Sequence, residues 1–268
     1  MFVVSDKFIK SPLNYTGGKY KILSQLIPLF PSKYKRFIDI FCGGLNVAVN
    51  INDKPIIAND NCKELIDLFL YFQKTNLSKV EKSLNELINK YGLSKSSQYG
   101  YESYNTNSVI GLASYNRNGY LKLREDYNND EHKSSIKFFT LIIFAFNNQI
   151  RFNSKREFNL PVNKRDFNNN IKANLSKFVE TIKKKNIIFV NKSYIEVDID
   201  KNDFIYLDPP YLTGNAAYNE SNGWNIEKEK ELYSFLDNIN KKKIKFALSN
   251  AFANKGDKNE ILIEWSKK

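Results

Sequence analysis

The sequence is poor in the side chains on which most metal-dependent and nucleophilic enzymes rely. Its 268 residues include a single histidine, His132, and only two cysteines, Cys42 and Cys62. Mechanisms built on a Ser-His or Cys-His pair, or on several zinc-bound imidazoles, therefore have almost no material. Two cysteines provide neither a disulfide framework nor the spacing of metal ligands, so we expect a protein of the reducing cytoplasm that binds no metal.

Long apolar runs are also missing. The most apolar stretch, FFTLIIFAF at residues 138–146, is about half as long as the ~20 residues of a membrane-spanning helix. The first ten residues lack the charge-then-apolar order of a signal peptide. Both absences predict a soluble intracellular protein with no membrane partner.

Acidic residues are too few to balance the basic ones. Forty-one Lys and Arg against 29 Asp and Glu leave a formal charge of +12, which is spread along the chain. Such an excess favours a polyanionic partner, first of all nucleic acid. From charge alone, a merely soluble basic protein or one that binds anionic lipid remains open. With 42% hydrophobic and 14% aromatic residues, we expect one large globular domain, or one with an inserted piece.

Five short apolar runs predict a parallel sheet. Each is nearly continuously apolar, as strands are when both faces of a sheet are covered. They lie at residues 36–41, 55–59, 186–190, 203–207 and 244–249. Helical patterns fall between several of them, and residues 223–243 place Trp224, Leu232 and Phe235 at mostly helical spacing. We therefore predict an α/β protein with a doubly wound, Rossmann-like sheet.

The gap between the second and third predicted strands, roughly residues 61–185, is too long for one crossover. It combines a polar segment rich in Tyr and Asn, the apolar run at 138–146 and a second Asn-rich segment. We predict a mainly helical inserted module at residues 61–170. The two flanking parts, 1–60 and 171–268, would form one discontinuous domain.

The first predicted strand runs into glycines in FIDIFCGG, residues 37–44. Such a turn lets the backbone approach a nucleoside closely, although glycines after a strand are often no more than a turn. Asp60, at the end of the second predicted strand, could accept hydrogen bonds from both ribose hydroxyls, and it could also cap the helix that begins near Cys62. LNYTGGKY, residues 13–20, lacks the spacing of a P-loop, but its Lys19 could hold a carboxylate.

The most specific pattern is the quartet Asp208-Pro209-Pro210-Tyr211, directly after the fourth predicted strand. The amino group of a nucleobase is a poor nucleophile, because its lone pair is delocalised into the ring. Asp208 could accept one of its hydrogens and the carbonyl of Pro209 the other, which leaves the lone pair directed out of the ring plane. The prolines hold φ near about −65° and remove N–H donors, and Tyr211 can stack on the base. Alone, the quartet could be a rigid turn; with the glycine turn, Asp60 and the basic charge, it predicts a site for a base flipped out of a duplex.

This combination resembles the Dam-type DNA adenine methyltransferases of bacteria and phages. The segments NYTGGKY, RFIDIFCGGLNVAVN, IIAND, LKLREDYN, RFNSKREFNLPVNKR, YLDPPYL and EWSKK occur in that family's order, which is similar to that of its α class. The resemblance implies transfer of a methyl group from S-adenosylmethionine to the amino group of adenine in double-stranded DNA, with GATC as the commonest target. It also suggests a cognate restriction endonuclease system, and it places target recognition in the module at 61–170.

The resemblance further assigns residues to the cofactor and to DNA. For the cofactor it implies Tyr15, Lys19, Asp39, Phe41, Gly43, Asp60, Ser193, Tyr194 and Asp208. For DNA it implies Arg151 as a bidentate reader of guanine, a contact worth about 1 to 3 kcal/mol, although a phosphate clamp is the alternative. Near the gap left by the flipped base it implies Phe146, Asn147, Asn148 and Gln149. Candidates for contact with the DNA backbone are Asn116, Arg117, Lys122, Arg124, Lys155, Arg156, Lys164 and Arg165.

One departure from the family concerns the C-terminal end. Family members continue past EWSKK with further strands that close the sheet, whereas this chain stops at Lys268. We therefore expect a missing C-terminal part and a fifth strand at an exposed edge. Two rival functions stay open: transfer to the amino group of cytosine, which the same quartet would serve, and a catalytically silent DNA-binding subunit.

Overall fold

Five parallel strands form the central sheet in a computed structural model that describes residues 8–213, 223–254 and 256–267. They are β1 (Phe37–Asp39), β2 (Ile56–Asn59), β3 (Ile187–Val190), β4 (Phe204–Leu207) and β5 (Lys245–Leu248). Their order across the sheet is β3-β2-β1-β4-β5, and every neighbouring pair is parallel. The five predicted strands are confirmed. The strand order reverses between β1 and β4, which is consistent with a Rossmann-like sheet.

Burial decreases from the centre of the sheet to its edges. Every residue of β1, β2 and β4 is buried, whereas the residues of β5 are half-buried or exposed. Successive residues of a strand point to opposite faces, and accordingly Phe37 belongs to one apolar cluster and Ile38 to another. The central strands are continuous apolar runs because both faces are covered. Among the described strands β5 pairs only with β4, so it occupies the predicted edge.

The described residues contain nine α-helices. They are α1 (Leu23–Leu26), α2 (Lys63–Lys74), α3 (Leu77–Lys90), α4 (Ser96–Tyr99), α5 (Ala113–Asn128), α6 (Ser135–Phe144), α7 (Asn169–Lys184), α8 (Ile226–Lys241) and α9 (Glu260–Trp265). None of these described helices is long and apolar enough to cross a membrane. A small antiparallel pair, β6 (Ala253–Asn254) and β7 (Asp257–Lys258), lies between β5 and α9.

Helix α8 confirms the helix predicted within residues 223–243, but with a later start. The side chain of Asn225 accepts a hydrogen bond from the backbone N–H of Lys228 at 2.9 Å, so Asn225 is the N-cap. Trp224 was predicted at a helical position and instead lies before the helix. The apolar residues that α8 buries include Leu232 and Leu236.

The predicted insertion is mainly helical, and its helices share a core with the sheet. Helix α6, which contains most of the apolar run at 138–146, packs against α2, α3 and α5. One apolar cluster includes Phe37 of β1, Phe69 of α2 and Phe138 of α6. The core is thus continuous across residue 60. The division into a catalytic domain and a target-recognition domain stays a prediction.

Candidate active site

The carboxyl ends of the central strands meet at one cavity. Strand β1 ends at Asp39, β2 is followed by Asp60, and β4 is followed by Asp208. Because parallel strands end at the same edge of a sheet, these three acids converge, and all three line a cavity of about 540 Å³. Small-molecule sites typically span roughly 300 to 1,000 Å³. The cavity lies where the strand order reverses, the usual ligand site of open α/β sheets.

Most residues predicted for the cofactor or the chemistry line this cavity. They are Tyr15, Lys19, Asp39, Phe41, Gly43, Asp60, Asp208, Pro209, Pro210 and Tyr211. Two predicted residues do not. Ser193 caps the short helical turn at Tyr194–Glu196, and Tyr194 packs its ring against Phe41 with 5.6 Å between the ring centres. Tyr194 therefore packs on a residue that lines the cavity, and the structure gives Ser193 a capping role.

Lys19 holds the carboxylate of the quartet. Its Nζ lies 2.5 Å from Asp208 Oδ2 and donates a second hydrogen bond to the carbonyl of Gly17 at 2.7 Å. The turn before Lys19 requires glycine, because Gly17 has a φ of +78°. The hydroxyl of Tyr211 donates to the other oxygen, Asp208 Oδ1, at 3.1 Å. The lysine that the sequence predicted to hold a carboxylate thus holds Asp208.

Burial raises the pKa of the Asp208 carboxyl, and its two partners oppose that effect. The charge of Lys19, the hydrogen bond from Lys19 and the hydrogen bond from Tyr211 each lower the pKa without cancelling the rise. A carboxylate has about four acceptor positions, and Lys19 and Tyr211 each use one. Asp208 therefore keeps acceptor capacity in the cavity.

Asp60 ties the glycine turn to the start of α2. Its Oδ2 accepts a hydrogen bond from the N–H of Gly43 and its Oδ1 accepts one from the N–H of Cys62, both at 2.9 Å. Cys62 is the N-cap residue of α2. Burial raises the pKa of Asp60, and these backbone donors lower it. Cys62 holds the N-cap position and makes no side-chain cap bond, so Asp60 fixes the turn before α2 and does not cap the helix as predicted; the ribose contact stays a prediction.

The two glycines of the turn let the N-terminal segment lie directly on it. Gly43 has a φ of +44°, and a Cβ on Gly43 would stand 2.8 Å from the ring of Tyr15. A Cβ on Gly44 would stand 2.8 Å from the Cβ of Tyr15. A larger residue at either position would push Tyr15 out of the cavity wall.

Asp39 is a fully buried acid in the wall of the cavity, with 1% of its surface exposed. Its Oδ1 accepts no hydrogen bond from the described part of the chain. Burial raises the pKa of Asp39 well above its usual range, and the negative charge of Asp208 adds to the rise. A buried polar atom without a partner costs about 1 to 3 kcal/mol. This oxygen therefore suits the donor of a bound ligand.

Trp224 and Asn254 also line the cavity and were not predicted there. The indole of Trp224 stands edge-on to Phe41, with 5.9 Å between the ring centres. The N-cap signal of Asn225 could have placed Trp224 before the helix. Asn254, in β6, donates to the carbonyl of Thr213, just after the quartet, at 2.8 Å. No local pattern marks Asn254, because its place depends on how the chain folds after β5.

The segment at residues 145–162 forms a loop beside the cavity, and two antiparallel bridges hold its sides together. Arg151, Phe152 and Arg156 line the cavity. Arg151 is braced across the loop, because its Nε donates to Oδ1 of Asn159 at 2.8 Å. The residue predicted to read guanine thus shares a cavity with the quartet.

The turn at Phe146–Asn148 joins this loop to the N-terminal segment. Asn14 donates to the backbone of the turn at 2.9 Å, and the side chain of Gln149 donates to the hydroxyl of Thr16 at 3.2 Å. The two asparagines of the turn have positive φ, which Asn tolerates better than most residues. Phe146 is 49% exposed. The residues predicted near the flipped-base gap therefore lie beside the TGGK segment.

The residues predicted to contact the DNA backbone differ in their availability. Asn116 is fully buried, and its Oδ1 accepts from the N–H of Ser94 at 2.8 Å. The structure contradicts its predicted contact with DNA, because protein surrounds the side chain. Arg156 donates to both oxygens of Glu64, at 2.9 and 2.8 Å, and Arg124 donates to a backbone carbonyl at 3.1 Å. The exposed candidates are Arg117, Lys122, Lys155, Arg156, Lys164 and Arg165, and Arg156 is exposed despite its pairing with Glu64.

Comparison with known proteins adds a family and several relatives. The family model of the D12 class N6 adenine-specific DNA methyltransferases matches residues 15–268. The type II methyltransferase M.FokI of Planomicrobium okeanokoites is 38% identical over 98% of this chain and 39% of its own length. The modification methylase StsI of Streptococcus sanguinis is 37% identical over 98% of this chain and 38% of its own length. The DNA adenine methylase of Salmonella typhi is 25% identical over 89% of this chain and 79% of its own length. The chain thus spans about two fifths of the length of M.FokI and of StsI.

Proposed function

The chain belongs to the D12 class of N6 adenine-specific DNA methyltransferases, and we propose that it transfers a methyl group from S-adenosylmethionine to the amino group of an adenine in duplex DNA in the cytoplasm. The observation that carries the proposal is the position of Asp208. Asp208 directly follows the central strand β4 in the sequence. It lines the same cavity as Asp39 and Asp60, and so does the next residue, Pro209. The match to an adenine-specific family favours adenine over cytosine.

The residues of the cavity fit S-adenosylmethionine, which presents an ammonium group, two ribose hydroxyls and an adenine ring. Oδ1 of Asp39 is a buried acceptor for a ligand donor such as the ammonium group. Asp60 would accept from the ribose hydroxyls, and the turn at Gly43 allows close approach of the backbone. When bound, this cofactor supplies an electrophilic methyl group on a positively charged sulfur.

The quartet prepares the amine for attack. Asp208 would accept one amine hydrogen and the carbonyl of Pro209 the other, so that the lone pair of the nitrogen is directed out of the ring plane. Lys19 and Tyr211 keep the carboxylate oriented, and its remaining acceptor positions let an amine bind without displacing either partner. Transfer would break the bond between the sulfur and the methyl group and form the bond from the methyl group to nitrogen, leaving the cofactor as a neutral thioether and the positive charge on the amine nitrogen, which would then lose a proton.

Target recognition would use the loop at residues 145–162. A duplex adenine reaches the cavity only after it is flipped out, at a cost of a few kcal/mol. Arg151, braced by Asn159, suits a bidentate contact to guanine, and the exposed ring of Phe146 would occupy the gap left by the base. GATC is the first sequence to test. We also propose a restriction-modification setting, since one relative is named a modification methylase.

Analysis of modified nucleosides tests this function. Duplex DNA would be incubated with the protein and S-adenosylmethionine that carries a labelled methyl group, then digested to nucleosides. We expect the label in N6-methyladenine, and mapping it along plasmids with and without GATC identifies the sequence. Label in methylated cytosine would overturn the base assignment. Salt-sensitive DNA binding with no label would instead indicate a catalytically silent DNA-binding subunit.

A further inference from the structure

A buried glutamate that takes no part in the proposed chemistry joins several segments of the chain. Glu229, in the first turn of α8, has 0% of its surface exposed. Its carboxylate accepts hydrogen bonds from Nε1 of Trp224 and from the hydroxyl of Tyr233. It also accepts from the side-chain amides of Asn250 at 3.0 Å and Asn259 at 2.8 Å. Tyr233, Asn250 and Asn259 all donate to Oε1, whereas the indole of Trp224 donates to Oε2, so the carboxylate is fixed on one side and orients the indole on the other.

Trp224 is the member of this cluster that reaches the cavity. Its indole lines the cavity and stands edge-on to Phe41, which lines it too. The indole has one polar atom, Nε1, and that atom is directed to Glu229. The rest of the ring system is apolar and aromatic. Trp224 therefore presents an aromatic surface to the cavity on the side of Phe41.

We propose that Trp224 is a binding residue that contacts a purine ring in this cavity, and that Glu229 is the positioning residue that orients its indole. This inference rests on the proposed function, which brings two purines to the cavity: the adenine of the cofactor and the flipped adenine of DNA. An aromatic side chain can pack against either, because every base has a π-face. Three observations support the assignment: Trp224 lines the cavity, its ring contacts Phe41, and its Nε1 is held by Glu229.

Tryptophan fluorescence tests the contact directly. The chain contains two tryptophans, so Trp265→Phe leaves Trp224 as the single indole. Trp265 stacks on Tyr233 with 4.7 Å between the ring centres, and phenylalanine keeps a ring at that position. A change of Trp224 emission with S-adenosylhomocysteine alone assigns the contact to the cofactor's adenine. A change that requires the methylatable duplex assigns it to the target base. Emission that neither ligand changes overturns the proposal.

Glu229→Gln tests the positioning role in the same background. The substitution replaces one acceptor oxygen with an N–H donor, so the four donors can no longer all be satisfied. We expect a red shift of Trp224 emission and roughly tenfold weaker binding of the ligand that changes it. In a Trp224→Ala background, Glu229→Gln should cause no further loss of affinity for that ligand, because both substitutions remove the same contact.

Asp203→Asn is the matched control. Asp203 is also a buried acid, 1% exposed, but it lies at the opposite end of β4 and pairs with Arg36. The Asp203→Asn substitution should lower the temperature at the midpoint of thermal unfolding, and it should leave both ligand affinity and Trp224 emission unchanged. If Asp203→Asn and Glu229→Gln reduce ligand affinity equally, the positioning role is contradicted, because the loss would then come from general destabilisation of the fold.

The outcomes separate this inference from the proposed function. A protein that methylates adenine while Trp224 emission responds to neither ligand keeps the function and loses the inference. A protein whose Trp224 emission responds to S-adenosylhomocysteine, but which transfers no methyl group to DNA, loses the function and keeps the binding role.

Discussion

Strand β4 has an acid at each end, and the two acids are held in different ways. Before the strand, Asp203 accepts from Nε of Arg36 at 3.0 Å, from its Nη2 at 2.6 Å, and from the backbone N–H of Asp200 at 2.7 Å. After the strand, Asp208 pairs with the single ammonium group of Lys19 and with a tyrosine hydroxyl. Of the two acids, Asp208 lines the cavity.

The difference separates stability from chemistry. A guanidinium that donates two parallel hydrogen bonds matches the geometry of a carboxylate, and the bond from Arg36 to Asp203 raises the pKa of Arg36. At the other end, burial raises the pKa of Asp208. A buried acid with a raised pKa beside a cavity is typical of functional sites. Asp203 thus has the properties of a structural clamp, and Asp208 those of a reactive group.

The largest effect on activity should come from Asp208→Asn. The amide keeps the size of the side chain but replaces an acceptor oxygen with a donor, so the amine loses a preorganised partner. We expect methyl transfer to fall by roughly 10²- to 10³-fold, with affinity for duplex DNA retained. Single-turnover formation of N6-methyladenine measures the rate, and filter binding measures the affinity. Turnover at the rate of the unsubstituted protein would remove the role assigned to Asp208.

Asp203→Asn should show the reverse pattern. Breaking a buried ion pair costs about 3 to 5 kcal/mol, and Arg36 keeps Asp198 and Asp200 nearby. We therefore expect the free energy of unfolding to fall by about 2 to 3 kcal/mol, measured by urea denaturation, with methyl transfer of the folded protein unchanged. A folded variant that has lost methyl transfer would erase the distinction between the two ends of the strand.

Lys19→Met should change the pH dependence of activity. Lys19 lowers the pKa of Asp208, so without it that pKa rises further, and the acidic limb of the kcat profile moves to higher pH at saturating cofactor. The stability effect has a definite sign. A carboxyl whose pKa is raised by folding contributes stability at low pH that is lost as the pH rises through the folded pKa. The variant should therefore lose more stability at pH 7 than at pH 4. A kcat profile with an unchanged acidic limb would contradict the coupling.

Arg151→Ala should have the smallest and most selective effect. If Arg151 reads one guanine, the variant loses about 1 to 3 kcal/mol of discrimination at one base pair. The exposed Lys155 offers a matched control, because loss of a phosphate contact weakens binding to all sequences alike and reduces the salt dependence. Methylation rates on a panel of single-base variants of the mapped site distinguish the two. Uniform loss with Arg151→Ala would identify a phosphate clamp.

The sheet and its acids could be predicted because their signals are local. Strands covered on both faces are continuous apolar runs, and the residues that follow them meet at one edge. Asp60 and Asp208 could therefore be placed from their positions after two such runs. The turn that precedes Lys19 could be located from its two adjacent glycines, Gly17 and Gly18, which are also a local signal.

The remaining features depend on packing between distant segments. Lys19 and Asp208 are 189 positions apart. The sequence could therefore predict that Lys19 holds a carboxylate, but it could not predict which one. Asn116 has the residue type of a surface group, yet it is buried because its face of α5 is turned to Ser94. Trp224 was predicted at a helical position, whereas it lies before α8 and reaches the cavity wall with its ring against Phe41 and its Nε1 directed to Glu229, contacts that join distant segments.

The most direct test is a crystal structure with S-adenosylhomocysteine and a duplex that contains the mapped target. The account predicts a flipped adenine whose amino nitrogen lies about 2.7 to 3.2 Å from both the Asp208 carboxylate and the Pro209 carbonyl, with the cofactor against Asp39 and Asp60. An adenine bound away from Pro209, or an Asp208 that contacts only Lys19 and Tyr211 in that complex, would contradict it.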